Sequence, residues 1–163
     1  MVTDLNMDTL FTPELVRIVD TFTSKGECLQ YMVDLLSQSN CLSFPDRYLA
    51  AVKGREEIMS TGIGKGIAIP HARDLTVNCL KIAVCMIRQG LDYQALDHEP
   101  VHLVFMIAVP QNSNQDYMKI LHSLSKYLCD EKNRAKLLAA NSDLELYNHV
   151  QRIQDLICAS AAD

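Results

Sequence analysis

Thr61-Gly-Ile-Gly-Lys-Gly-Ile-Ala-Ile-Pro-His71 is the stretch around which the chain is organised. Gly62, Gly64 and Gly66 permit backbone angles that other residues resist, so a loop is expected over 61–66. Ile67-Ala-Ile69 then reads as a short buried strand. Pro70, with its fixed φ and no N–H to give to a ladder, ends that strand abruptly and presents His71.

Upstream, Leu29, Met32, Val33 and Leu36 recur at helical spacing behind Ser24, with Glu27 three residues further on, the pattern of a capping box. That helix is expected to end near Asn40. Phe44-Pro45-Asp46 opens a second helix with proline in its first turn, Tyr48, Leu49 and Val52 on one side, and a close toward Gly54. Arg55 and Glu56 follow at the helix-to-loop junction. Residues 1–23 lack a sustained period and read as an extended lead-in, with a short strand around Leu15–Val19.

Downstream, residues 81–88 and 101–109 are bounded by turn residues and rich in bulky apolar side chains, as expected of strands buried on both faces. Pro110 closes the second. After a polar loop over 111–115, Ile120, Leu121, Leu124, Tyr127 and Leu128 form a helical stripe. Residues 135–140 and 144–153 continue helically, with Ser142 and Glu145 as a second capping box. The last residues, 159–163, form a small-residue tail expected to fray. Strands interleaved with helices predict an α/β layer fold with a mixed sheet, as a single domain over residues 1–163.

With 163 residues, 48% apolar and 21% charged, the chain can bury a proper core without disulfides or metal. The formal net charge of −5 provides no basic surface for displacing counterions from nucleic acid, so nucleic acid is not an expected partner. The amino terminus lacks the basic and apolar regions of a signal peptide. The longest apolar stretch, 103–109, is far short of the roughly 20 residues that cross a bilayer. A cytoplasmic location without membrane insertion is expected. The cysteines, at 28, 41, 79, 85, 129 and 158, form no C-x-x-C pair and no zinc spacing, and read as reduced, structural thiols.

The glycine-rich stretch fits neither common nucleotide loop. Lys65 is followed by Gly66 instead of Ser or Thr, and a dinucleotide fingerprint from Gly62 would need glycine where Ile67 stands. No cofactor is expected. What remains is a histidine beside amides that can approach an anion. A neutral imidazole is a good nucleophile toward phosphorus near physiological pH, and Arg55 can supply a planar two-point donor to phosphoryl oxygens.

Arg55-Glu56, followed by S-T-G-I-G-K-G-I-A-I-P-H-A ending at Ala72, resembles the phosphorylation motif of the type-2 IIA proteins of the phosphoenolpyruvate-dependent phosphotransferase system. Asp97-His-Glu-Pro-Val-His-Leu-Val-Phe105, with Ala108-Val109-Pro110, is similar to the family's D-x-x-P-V-x-L-V-F strand. The resemblance runs from about residue 5 to 153. Ser142-Asp-Leu-Glu-Leu-Tyr147 draws it nearest the nitrogen-type regulators, with the fructose and mannitol transport type as runner-up. The resemblance implies a roughly five-stranded mixed sheet flanked by helices. It implies a phosphocarrier in which His71 accepts a phosphoryl group from a phosphorylated HPr-like carrier, Arg55 stabilises it, and target proteins such as sensors or transporters are regulated. A homodimer is left open.

There is one departure. The family pattern carries a second histidine in H-L-x-x-L, whereas this chain has Tyr117-Met-Lys-Ile-Leu121. A phenol donates one hydrogen bond but carries no positive charge. This keeps a third reading open, a binding module that has lost the chemistry, beside the regulator and the sugar-uptake subunit. A Cys/His redox or metal enzyme is a fourth, although His98 and His102 flank a strand start instead of sharing a helix face. His122 lies about 140° around the helix from Tyr117 and is no substitute. His149 reads as an ordinary helical residue, and Lys65, Arg73 and Asp74 as solvent-facing charges.

Overall fold

The computed structural model describes residues 10–113 and 116–162. A single 3-10 turn, Pro13–Leu15, leads into β1 (Val16–Val19), helices α1 (Lys25–Gln38) and α2 (Pro45–Ile58), then β2 (Gly62–Gly64), β3 (Ile67–Ala68) and β4 (His71–Asp74). The long strands β5 (Lys81–Leu91) and β6 (Val101–Pro110) follow, and α3 (Asp116–Cys129), α4 (Glu131–Leu138) and α5 (Asp143–Ala162) complete the chain.

Six strands make one mixed sheet in the order β1-β5-β6-β3-β2, with β4 also paired to β6. β1 runs parallel to β5, β5 antiparallel to β6, and both β3 and β4 parallel to β6. β6 is therefore covered on one edge by two short strands that meet end to end at Ile69-Pro70. The second aligns His71 with Ile107 and Arg73 with Val109.

Alternation along the strands splits the core in two. Ala68, Ala72, Ala83, Cys85, Val104, Met106 and Ala108 pack with Met32, Leu36, Tyr48 and Val52 of α1 and α2. Ile67, Ile69, Ile82, Val84, Leu103, Phe105, Ile107 and Val109 pack with Ile120 and Leu124 of α3, Leu137 of α4, and Val150 and Ile153 of α5. The strands are near-continuous apolar runs because both faces are covered. This matches the layered α/β architecture expected from the sequence.

Both capping boxes form. Glu27 N–H donates to Ser24 Oγ at 3.1 Å while Thr23 N–H donates to the Glu27 carboxylate at 2.9 Å. Glu145 N–H donates to Ser142 Oγ at 3.1 Å, and Asn141 N–H returns to Glu145 at 3.0 Å.

Four local expectations need correction. Helix α2 runs past Gly54 to Ile58, because Glu56 continues the buried stripe of Tyr48 and Val52. The glycine-rich stretch is a β-hairpin of β2 and β3 instead of a loop. Strand β5 continues to Leu91 through Gly90, whose φ of +79° lets the strand bulge. The tail expected to fray continues α5 as far as Ala162, its small residues being compatible with helix. Residues 1–9 of the expected lead-in, and Asp163, lie outside the described residues.

Candidate functional site

The hairpin comes first, because it holds everything else. Lys65 and Gly66 turn at φ of +61° and +78°, and Gly64 lies at +103°. Gly62 is pressed against the segment between β5 and β6: a Cβ there would stand 2.8 Å from both Cα and Cβ of Ala95. Leu96 N–H donates to Gly62 O at 2.8 Å, and Lys65 N–H to Asp97 Oδ2 at 3.0 Å. These glycines serve turning and close packing. The Lys65 backbone is tied to Asp97, and its side chain projects from an exposed turn.

His71 opens β4 as a half-buried side chain. Its Nδ1 lies 2.8 Å from the carbonyl oxygen of Ile69. A carbonyl oxygen can only accept, so Nδ1 carries the proton and the Nε2 lone pair is left uncommitted. Burial pushes the imidazole below its ordinary value of 6.5 by penalising the charged form. The bond to Ile69 acts against this, the Arg55 charge adds to it, and Glu56 acts against it. The result is an imidazole kept neutral, in one tautomer, with a nucleophilic nitrogen free.

Arg55 occupies the last turn of α2, where a cation complements the helix dipole. Its Nη1 donates to Met59 O at 2.8 Å, which steadies the guanidinium beyond the helix end. The structure thus brings Arg55 within electrostatic reach of His71.

Tyr117, in the first turn of α3, meets a residue that the sequence reading left as a solvent-facing charge. The Arg73 guanidinium carbon lies 5.7 Å from the Tyr117 ring centroid, and Arg73 Nη1 donates to Ser113 O at 3.3 Å. His71 and Arg73 are two residues apart on one strand, so their side chains leave the same face of the sheet. Asp74 is tied locally: its carboxylate accepts from Thr76 N–H and Oγ, which holds it below the usual range.

Sequence reading missed a buried polar cluster immediately behind Arg55. Glu56, 8% exposed, pairs with Lys25 Nζ at 2.9 Å and accepts from Thr61 N–H at 3.0 Å and from Thr61 Oγ1. Thr61 Oγ1 also lies 3.1 Å from Tyr93 OH, over whose ring Lys25 Nζ sits at 4.5 Å. Burial pushes the Tyr93 hydroxyl well above its ordinary value, so it remains a neutral partner in this cluster. The legible signal was a carboxylate at i+4 from Val52 on an apolar helix face. Removing one partner of such a buried pair costs about 3–5 kcal/mol.

The other histidines stand apart. His102 Nδ1 bonds Ile87 O at 2.9 Å, His98 occupies a turn at φ of +63°, and His122 is exposed on α3. Among the described residues no group of three or more His, Cys, Asp or Glu is placed to hold a metal ion, and no disulfide forms. Among the described residues no helix is long and apolar enough to cross a membrane.

Comparison with known proteins bears on the family and the fold. Residues 9–153 match the family described as phosphoenolpyruvate-dependent sugar phosphotransferase system, EIIA 2. The chain belongs to that family. A fructose-specific EIIA component of Haloferax volcanii is 33% identical over 156 residues, 96% of each chain. The nitrogen regulatory protein of Escherichia coli is 32% identical over 148 residues, 89% of each. A fructose-specific EIIABC component of Bacillus subtilis is 37% identical over 134 residues, but the chain spans only 21% of its length. Among solved structures, the nitrogen regulatory protein IIA-Ntr of Neisseria meningitidis superimposes with a TM-score of 0.78 at 27% identity, covering 91% of this chain and 98% of that one. The EIIA fold is thus common to regulatory and sugar-specific relatives.

Proposed function

We propose that this EIIA protein is a phosphocarrier of the nitrogen-regulatory type, with His71 as acceptor. The observation that carries the reading is the Nδ1–H bond from His71 to Ile69 O, because it leaves Nε2 as the only nitrogen able to attack. In the step proposed, the Nε2 lone pair forms a bond to phosphorus as the bond from phosphorus to the ring nitrogen of an HPr-like carrier breaks. The electron pair of the broken bond returns to the carrier nitrogen. A carrier ring that enters protonated leaves as neutral imidazole. The Nδ1 proton of His71 stays in place, and the positive charge now shared by its ring offsets the phosphoryl oxygens. Arg55 gives those oxygens a planar donor.

Phosphorylation of this kind adds about 1.5–2 negative charges at His71, enough to change which proteins dock there. The nitrogen-type reading rests on Ser142-Asp-Leu-Glu-Leu-Tyr147, on near end-to-end similarity to nitrogen regulatory proteins, and on the IIA-Ntr superposition. The identities of 33% and 37% to fructose-specific components favour a second reading, in which the phosphoryl group passes on to a IIB acceptor.

Incubation with phosphoenolpyruvate, the general phosphotransferase enzyme and its carrier, followed by intact mass measurement, tests the proposal. One acid-labile phosphoryl group is expected in the native protein and none in His71→Ala. Rapid, stoichiometric loss of that group to a fructose-type IIB domain would support the transport reading over the regulatory one. No uptake by the native protein, with uptake restored in Tyr117→His, would make it a binding module.

A further inference from the structure

A continuous set of contacts runs from a buried ion pair to the imidazole of His71. Lys25 Nζ holds Glu56 at 2.9 Å, and Glu56 holds the Thr61 N–H at 3.0 Å and its hydroxyl. The Thr61 carbonyl accepts from Ile69 N–H at 3.0 Å, and the Ile69 carbonyl accepts from His71 Nδ1 at 2.8 Å. Ile69 is followed by Pro70, which fixes its own φ and has no N–H with which to anchor that peptide. The direction of the Ile69 carbonyl is set on one side by the bond of Ile69 N–H to Thr61 O, and on the other by Pro70, whose carbonyl accepts from Ile107 N–H at 3.0 Å.

We propose that Glu56, clamped between Lys25 and Thr61, is a positioning residue that fixes the tautomer and orientation of the His71 ring through the Ile69 backbone. Its effect on phosphoryl transfer rests on the phosphocarrier reading above. Its effect on the ring does not. The same clamp anchors the last turn of α2, which carries Arg55, so one buried carboxylate sets both groups in a common frame. Tyr93 closes the cluster from the β5–β6 connection, by its hydroxyl to Thr61 and its ring beneath Lys25. A carboxylate is suited to this because it accepts from several donors at once, here an ammonium, a backbone N–H and a hydroxyl.

Ring nitrogen shifts of protein labelled with 15N-histidine, recorded above the His71 titration, together with the rate of phosphoryl uptake at saturating carrier, test this. Native protein is expected to show a single tautomer with the proton on Nδ1. Glu56→Ala is expected to show exchange between tautomers and a rate at saturation about tenfold to a hundredfold lower, with the half-saturating carrier concentration unchanged. Glu56→Gln, which keeps an acceptor for the Thr61 N–H, should restore the native ring spectrum. If Glu56→Ala does not fold, Thr61→Val is read in the same way, with a smaller expected effect. A folded Glu56→Ala, or Thr61→Val in its place, whose His71 keeps a single Nδ1–H tautomer overturns the proposal. Absence of phosphoryl uptake in native protein overturns the phosphocarrier reading, while the ring spectra still decide whether Glu56 fixes His71.

Discussion

The Arg73 guanidinium lies over the ring of Tyr117, 5.7 Å from its centroid. Strand β4 thereby places a cation, two residues after His71 and on the same face, against the side chain of Tyr117. The phenol brings no charge of its own to this side of the site. The charge beside it belongs to Arg73.

Tyr117→His is therefore expected to raise the rate of phosphoryl uptake, by adding a side chain that can be charged, and to lower stability slightly. A cation–π contact at an exposed position is worth about 0.5–1 kcal/mol. Stopped-time mass measurement of the phosphorylated fraction, with chemical denaturation alongside, checks both parts. An unchanged rate would show that the native pair already meets the need at this position.

His71 should titrate below 6.5 in the folded protein, because its burial, reinforced by Arg55, disfavours the imidazolium. A pH series of its ring proton shifts would show the midpoint. Arg55→Gln should move that midpoint upward, since it removes one of the lowering contributions. The sign for stability follows from linkage: between the lowered folded value and 6.5 the unfolded chain binds more protons, so stability rises with pH. The contribution is fully present above the unfolded value and is lost as pH falls toward the folded one. His71→Ala should flatten this part of the stability profile.

Gly62→Ala should destabilise the fold by about 1–3 kcal/mol through overpacking. The new Cβ would meet backbone as well as side-chain carbon of Ala95 at 2.8 Å, and Tyr93 Cδ1 at 3.1 Å. Urea denaturation would read the loss. A neutral result would mean that the segment between β5 and β6 yields readily at Ala95.

Tyr48→Phe tests the link between α2 and the sheet. The Tyr48 hydroxyl, fully buried, donates to Ile107 O at 3.0 Å, and Ile107 is the residue aligned with His71 across β4 and β6. Loss of this bond should cost about 1–2 kcal/mol and lower Tm by about 2–8 °C. Phosphoryl uptake should persist, because the hydroxyl lies on the α1/α2 side of the sheet.

Much of this architecture is legible along the chain because its signals are local. Ser24 with Glu27, and Ser142 with Glu145, announce their helices within a single turn. The apolar runs over 81–88 and 101–109 announce two buried strands, and Pro70 marks the break before His71. The glycine-rich stretch misleads because glycine has little intrinsic strand preference. Its hairpin is imposed by Ala95, Leu96 and Asp97, which pack against it from a distant segment. Helix α2 outlasts Gly54 for a similar reason. Glu56 has its cation on α1, its hydroxyl partner at Thr61 and its aromatic lid at Tyr93, a set that periodicity cannot assemble. Arg73 reads as a loop charge until β4 and α3 are seen side by side.

The proposed phosphocarrier role requires Nε2 of His71 to be the phosphoryl acceptor. Nitrogen-15 and phosphorus-31 spectra of the histidine-labelled protein, after incubation with phosphoenolpyruvate, the general enzyme and the carrier, test it most directly. The phosphorus is predicted to couple to Nε2 of His71, with the Nδ1 proton retained. Phosphorus on Nδ1, on His98, His102, His122 or His149, or on no histidine at all, would contradict it.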